Sequence, residues 1–450
     1  MGDRDEAVAS YTTDPYPVWE TGQRYGDSVR PGGLLDSAPV REWFSRLDEV
    51  RQNGLYTFGL PQGGRGGRRT AFGNRDLISF SNYSYLSLNG HPKILAAAHD
   101  AVERYGTGTG GARLLAGTTD LHRETEAAFA RWLGTEDAVL ANAGYDANLA
   151  AISGLFGPRD LALVDEFAHR SLVDGCRLAG LRVHRFRHND VGHLEELAAR
   201  HGPRDGRKLV IVEGVYSMDG DQAPLAEIVE LKERHGFFLL LDDAHALGVL
   251  GAEGRGTAAE QGVDIARFDI VTASLSKAFP SVAGVVAGTK GLGTYLRHGA
   301  SPFMFSAATS PANTATILAT LDVLVSEPEH LAALRRNSAA LGELVRRAAG
   351  TSHDSTSPVV PVLLGASARA YTWARVLLDE GVHVLPVPAP AVPEGRERLR
   401  LCATAGHTAG DLARLEAALL RCVTLEQDEA ELRDYLASVA SRSMPAPDPA

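Results

Sequence analysis

The chain has 450 residues, 44% of them hydrophobic and 22% charged, which fits a globular protein of two to three domains and excludes disordered, collagen-like and fibrous classes. Its 45 basic and 56 acidic side chains leave a net charge of −11 without an apparent basic stripe, so nucleic acid is not an expected partner. Cys176, Cys402 and Cys422 form no CxxC pair, the first residues are polar and acidic, and no apolar run approaches the roughly 20 residues that span a bilayer, so neither disulfide framework, zinc knuckle, leader nor membrane span is expected and the cytoplasm is the expected location.

Residues 1–75 carry Pro15, Pro17, Pro31, Gly32, Gly33 and the run Gly63-Gly64-Arg65-Gly66-Gly67, and read as a loop-rich arm with one helix over 40–50. From Leu77 onward short apolar runs alternate with amphipathic segments. Strands are expected at 138–141, 161–164, 182–186, 209–212, 237–241, 270–273 and 285–287. Between them Leu121, Thr125, Ala128, Phe129 and Trp132 make one helical face, and Leu225, Ile228 and Val229 begin another. Such alternation predicts an α/β fold, a mostly parallel sheet covered on both faces, with functional residues at the carboxyl ends of its strands. After Pro311 a long helical stretch leads to a smaller α/β unit with strands at 359–364, 382–385 and 399–402 and helices at 369–380 and 411–421. The expected division is an arm (1–75), a large domain (76–315), a small domain (316–437) and a disordered tail (438–450).

The most informative run is Phe237-Phe238-Leu239-Leu240-Leu241-Asp242-Asp243-Ala244-His245, a buried-strand pattern that ends in two carboxylates and an imidazole. A buried carboxylate is costly unless a cation pairs with it, and a protonated pyridine nitrogen would be such a cation. Taken alone, the two acids could equally bind a metal or cap the next helix. Lysine, however, occurs only at 93, 208, 232, 277 and 290, and Lys277 stands just beyond another apolar strand in Ser274-Leu275-Ser276-Lys277-Ala278-Phe279. Flanked by hydroxyls opposite an Asp-bearing strand end, it is better explained as a Schiff-base amine than as a surface lysine.

Asp-Asp-Ala-His, then Gly251-Ala252-Glu253-Gly254-Arg255-Gly256, then Ser-Lys-Ala-Phe resembles the α-oxoamine synthases, pyridoxal-phosphate enzymes of aminotransferase fold type I. The resemblance covers about residues 78–407 and includes the Gly-rich segment 106–113, Asn142-Ala143-Gly144-Tyr145, the segment 213–220 and Arg398-Leu399-Arg400-Leu401. It implies a large domain with a mostly parallel seven-stranded sheet and a smaller C-terminal α/β domain. Lys277 would hold pyridoxal 5′-phosphate and move the substrate's α-proton, while Asp242 would pair with the pyridinium nitrogen. His245 and Ser217 would bond the phenolic oxygen, and His169 would stack on the ring. Gly144 and Tyr145 would give backbone amides to the phosphate at a helix N-terminus, helped by the Ser274 hydroxyl. Ser306 would reach the phosphate across an obligate homodimer with shared active sites. Arg400, with Arg398 as its competitor, would fork onto the substrate carboxylate.

The chain also departs from the family pattern. Pro280 and Ala283-Gly284 follow the lysine where the family has a Gly and a Gly-Gly pair, and Ala307 replaces a usual hydroxyl. Around Asn82-Tyr83-Ser84 the asparagine that can touch the substrate carboxylate is displaced or replaced, leaving Asn82 and Ser84 as candidates. The implied reaction joins a small amino acid (glycine, alanine or serine) to an acyl thioester, on coenzyme A or an acyl carrier protein, with loss of carbon dioxide to give an α-amino ketone. An aminotransferase, an aldolase acting on β-hydroxy amino acids and a non-catalytic scaffold are the other readings, and the presence of Lys277, Asp242, His245 and His169 weighs against the last.

Overall fold

A computed structural model describes residues 24–72, 75–201, 206–351 and 357–443; what was expected of residues 1–23 and of the chain beyond Ser443 lies outside them. The arm holds more than its expected helix, which is found at Ala38–Gln52: β1 (Arg69–Phe72) pairs antiparallel with β2 (Arg75–Ser79). Four residues reading Arg-Thr-Ala-Phe are too short and too polar to show an alternating pattern.

Seven strands follow, each within a residue of its expected bounds: β3 (Asp137–Ala141), β4 (Leu161–Asp165), β5 (Arg182–Phe186), β6 (Lys208–Glu213), β7 (Phe238–Asp242), β8 (Ile270–Ser274) and β9 (Gly284–Gly288). They form one sheet in the order β3-β9-β8-β7-β6-β4-β5, in which only β9 runs against its neighbours. Both faces are covered, which explains the unbroken apolar runs. Leu239 and Leu241 enter one core and Leu240 the core on the opposite face, as the two-residue pleat requires. The helix Gly144–Leu155 packs against β8 and β9, and the helix Asp120–Leu133 begins with a capping box in which Thr119 Oγ1 accepts from the His122 amide.

The stretch after Pro311 is two helices, Pro311–Ser326 and Glu329–Ala349, because Pro328 offers no amide to continue the first. Beyond them β10 (Val359–Leu363), β12 (Pro386–Val387) and β13 (Arg398–Cys402) form an antiparallel sheet in the order β10-β13-β12. The strand expected over 382–385 is divided. β11 (Val382–His383) pairs parallel with β2, and the chain then changes sheet to join β13 at Pro386. Ile78 and Phe80 consequently lie in the smaller core with Val360, Trp373 and Leu401. The helix Glu429–Ser443 continues through residues 438–443, where a tail was expected. Among the described residues no helix is long and apolar enough to cross a membrane.

The end of β4 is fastened by a partly buried ion cluster. His188 Nδ1 lies 2.9 Å from Asp165 Oδ1 and Nε2 lies 2.7 Å from Asp221 Oδ2, so both ring nitrogens face carboxylates. Burial opposes the charged ring, but the two carboxylate hydrogen bonds prevail and push its pKa up to about 9. A raised folded-state pKa gives a stability contribution that is complete below the unfolded value near 6.5 and is lost as pH rises through about 9. Urea unfolding of wild type and His188→Asn should therefore show a wild-type advantage at pH 6 that shrinks by pH 10; an advantage constant with pH would place the contribution in packing instead.

Candidate active site

The carboxyl ends of β6, β7 and β8, the N-termini of two helices and β13 surround a cavity of about 270 Å³. Its lining includes Gly144, Tyr145, His169, Ser217, Asp242, His245, Ser274, Lys277 and Arg400, nine residues named from the sequence, together with Tyr83, Asn148, Ser171, Glu213, Met218, Ala244 and Ser276.

Asp242, only 5% exposed, ends β7 with its carboxylate in the cavity. Asn148 Nδ2 donates to Oδ2 at 2.7 Å and the Ala244 amide donates to Oδ1 at 3.1 Å. Among the described residues no cation lies within ion-pair distance of it. Its neighbour Asp243 serves a different end. Fully buried, it accepts from the Thr257 amide at 3.0 Å and from Thr257 Oγ1 at 2.7 Å, so it ties the strand end to the turn that starts the short helix Thr257–Glu260. Burial pushes the Asp243 pKa up to about 7. Space for this carboxylate exists only because Gly214 and Gly256 flank it: a Cβ on Gly214 would overlap Oδ1, and one on Gly256 would overlap Oδ2. The helix-capping possibility thus applies to Asp243 and not to Asp242.

Lys277 follows β8 opposite Asp242. Burial holds its ammonium pKa below the usual lysine value, against the attraction of Asp242. Ser274 and Ser276 share a hydroxyl hydrogen bond of 2.8 Å beside it, and the Tyr83 ring centroid is 6.0 Å from Nζ. The helix Gly144–Leu155 begins against this strand end. A Cβ on Gly144 would stand 2.5 Å from Ser274 Cβ, so glycine permits the close approach that aims the helix N-terminus into the cavity.

His169 is the N-cap of the helix Arg170–Leu178. Its Nδ1 accepts from the Ser171 amide at 3.3 Å and faces Ser171 Oγ at 2.7 Å, while Asn148 Nδ2 donates to that hydroxyl at 2.9 Å. Burial lowers the pKa of His169, so the neutral ring with an accepting Nδ1 carries its proton on Nε2. The backbone amide of His169 donates to Glu213 Oε1. Glu213 is paired in register with Asp242, and burial, reinforced by that carboxylate, raises its pKa well above the usual range. Burial thus favours the protonated form of Glu213 beside the Asp242 carboxyl group.

On the opposite wall Arg400 reaches the cavity from β13, and its Nε is buried without a hydrogen-bond partner. No carboxylate among the described residues pairs with it. Arg398 is fully buried and already engaged, with Nη1 donating to the Met218 carbonyl at 2.9 Å and lying 2.8 Å from Asp219 Oδ1. Three candidates lie outside the lining. Asn82 spends its amide on the structure around it, with Nδ2 donating to the Gly67 carbonyl at 2.5 Å and to Ser79 Oγ at 3.2 Å and Oδ1 accepting from the Ser84 amide at 3.0 Å; Ser84 is buried there, and the turn presents Tyr83 instead. Ser306 accepts from Asn142 Nδ2 at 2.8 Å and does not line the cavity of its own chain.

Asn148 and Glu213 had signals in the sequence that went unused. Asn148 is four residues beyond Gly144 and so shares its helical face, and Glu213 ends the run Leu209-Val210-Ile211-Val212 as Asp242 ends its own. Tyr83 and Ser171 carried no such pattern.

The aminotransferase class I and II family matches residues 75–419. An 8-amino-7-oxononanoate synthase of Geobacter sulfurreducens is 41% identical over 85% of this chain and 98% of its own. A serine palmitoyltransferase of Sphingobacterium spiritivorum is 35% identical over 81% and 91%. The solved serine palmitoyltransferase of S. paucimobilis, carrying a bound PLP–myriocin adduct, superposes with a TM-score of 0.82 at 31% identity, covering 87% of this chain and 98% of that one. The chain belongs to the α-oxoamine synthase family. Its fold is accordingly the pyridoxal-phosphate transferase fold type I with the seven-stranded sheet described above. The site of this α-oxoamine synthase fits pyridoxal 5′-phosphate: a buried carboxylate with no ion-pair partner among the described residues faces a half-buried lysine, and an unpartnered arginine nitrogen borders the same space.

The Asp243 clamp gives a prediction independent of any ligand. Gly214→Ala should destabilise the protein by about 3 kcal/mol, because the added methyl must displace a buried carboxylate or its strand. Chemical denaturation measures this, and a change below about 1 kcal/mol would mean that the strand end yields easily.

Proposed function

We propose that this enzyme joins a small amino acid, of the glycine, alanine and serine class, to an acyl thioester carried on coenzyme A or an acyl carrier protein. The amino acid loses its α-proton, a bond forms from Cα to the acyl carbon, the C–S bond breaks to release the thiol, and carbon dioxide leaves to give an α-amino ketone. The observation that carries the reading is the convergence of Lys277, a buried Asp242 without a cation and an Arg400 without an anion on one cavity. The names of the relatives, 8-amino-7-oxononanoate synthase and serine palmitoyltransferase, support the same chemistry.

Bound pyridoxal phosphate would supply the electron sink that makes the Cα proton acidic. Asp242 would hold its ring nitrogen protonated, and Asn148 and Ala244 keep that carboxylate pointed into the cavity. The amides at Gly144 and Tyr145 and the Ser274 hydroxyl would hold the phosphate at a helix N-terminus, while His245 and Ser217 would donate to the phenolic oxygen. Lys277, whose ammonium pKa burial lowers, would hold the cofactor and would take the substrate's α-proton at Nζ. His169 would stack on the ring, and its Nε2–H would be placed to donate to the thioester oxygen as that oxygen gains charge. Arg400 forks onto the amino acid carboxylate, and its empty Nε supplies one of the two donors.

The residues divide between a large domain of residues 76–315, which supplies the cofactor groups, and a small domain of 316–437, which supplies Arg400. We further infer a cytoplasmic homodimer in which Ser306 of each chain serves its partner's phosphate site.

Purified protein reconstituted with pyridoxal phosphate should show a visible band that is missing in Lys277→Ala and shifts saturably with one small amino acid. Absence of the band would overturn the reading. Arg400→Ala should raise KM for that amino acid roughly 10- to 100-fold, the cost of a lost charge-assisted pair, with a smaller effect on the acyl donor. Thiol and carbon dioxide released in equal amounts would distinguish condensation from amino transfer, which releases neither.

A further inference from the structure

Tyr85 lies between Arg400 and His245, and the proposed function assigns it no task. It is fully buried at the end of the turn that carries Tyr83. Arg400 Nη2 lies 3.4 Å from its hydroxyl oxygen, and His245 Nδ1 lies 2.7 Å from the same oxygen. A guanidinium can only donate, so the Tyr85 oxygen accepts from Arg400. Its single hydrogen has two neighbours to go to, His245 Nδ1 and the Cys402 sulfur hydrogen-bonded to the same hydroxyl, and the imidazole nitrogen is a stronger acceptor than a protonated thiol. An imidazole that accepts at Nδ1 and is neutral must carry its proton on Nε2.

Neutrality has a physical basis in the surroundings. Burial lowers the His245 pKa well below the usual value, and the positive charges of Lys277 and Arg400 act in the same direction. The Tyr85 hydroxyl is kept protonated chiefly by burial, which outweighs the nearby guanidinium. The other titratable groups around this chain of bonds are the buried Cys402 thiol, whose pKa burial raises, His169 and Tyr83.

We propose that Tyr85 is a positioning residue: its hydroxyl locks His245 as the Nε2–H donor to the cofactor's phenolic oxygen and couples that donor to the occupancy of Arg400. The proposal rests on the reading above, in which Arg400 takes the substrate carboxylate and His245 faces the phenolic oxygen. A carboxylate arriving at Arg400 competes with the long bond to Tyr85. The change is passed through one hydroxyl to the imidazole, so the ring electronics register whether the amino acid carboxylate is seated. Such coupling needs no movement of the backbone, since Tyr85 is also held by its backbone carbonyl, which accepts from the Ala405 amide at 2.7 Å.

The test uses the holoenzyme and the pH titration of its visible band in wild type, Tyr85→Phe and His245→Gln, with propionate as a carboxylate that has no amine. Removing a donor from the phenolate raises the affinity of the cofactor for its proton, so Tyr85→Phe should raise the midpoint by about one pH unit. Bound cofactor per chain and melting temperature should stay near wild type, because only a hydroxyl is removed. Saturating propionate should shift the midpoint in wild type and leave Tyr85→Phe unmoved. A midpoint unchanged in Tyr85→Phe but raised in His245→Gln would overturn the role of Tyr85 and leave the functional reading intact. No shift in either variant would remove His245 from the phenolic oxygen, and the proposal would fall with that assignment. An equal propionate response in wild type and Tyr85→Phe would overturn the coupling.

Discussion

A buried carboxylate at the end of a strand whose last four residues are buried, with no cation among the described residues within ion-pair distance, is the constraint on which the rest of the site depends. Asp242 cannot be sheltered by water, and the residues around it act to hold the charge in place. Asn148 donates to it from a helix whose N-terminus is pressed against Ser274, and the Ala244 amide donates from the following turn. For the neighbouring Glu213, in register on the adjacent strand, burial and the Asp242 carboxylate both favour the protonated form. Lys277 is close enough to feel Asp242, yet burial lowers its ammonium pKa, and no ion pair joins the two side chains.

The same constraint explains why two adjacent acids do not share a task. One turns into the cavity, and the other turns into a space bounded by two glycines, where Thr257 satisfies both oxygens. Asp243 fixes the loop that follows β7, and that loop carries His245. The two consecutive residues therefore divide their tasks: Asp243 ties the strand end to Thr257, and Asp242 turns its carboxylate into the cavity.

The proposed substrate-carboxylate site lies on the other wall, on β13 of the three-stranded sheet β10-β13-β12. Arg398 and Arg400 sit two residues apart on one face of β13, but Arg398 is consumed by the Met218 carbonyl and Asp219, which join β13 to the turn after β6. Arg400 is left with a single long hydrogen bond to Tyr85 and an empty Nε. Where the family pattern would place an asparagine, the turn Asn82-Tyr83-Ser84 is stabilised by its own hydrogen bonds and puts an aromatic ring near Lys277.

The sheet and its strand bounds were legible in the sequence because buried strands leave unbroken apolar runs, and Asp242, His245 and Lys277 stood out because polar groups just beyond such runs are conspicuous. Gly144, Tyr145, His169, Ser217, Ser274 and Arg400 were named through the resemblance to the α-oxoamine synthases. The strands at 69–72 and 75–79 were not legible, being short and polar, and neither was the switch between two sheets at 384–385, which is set by pairing partners more than 300 residues earlier in the chain and on β13. Why Asp242 and not Asp243 faces the cavity, why Arg400 and not Arg398 is left open, and where Asn82 spends its amide were explained only by tertiary structure. Each depends on which groups distant segments bring within hydrogen-bond reach, and a buried polar side chain that finds a partner there is no longer available to a ligand.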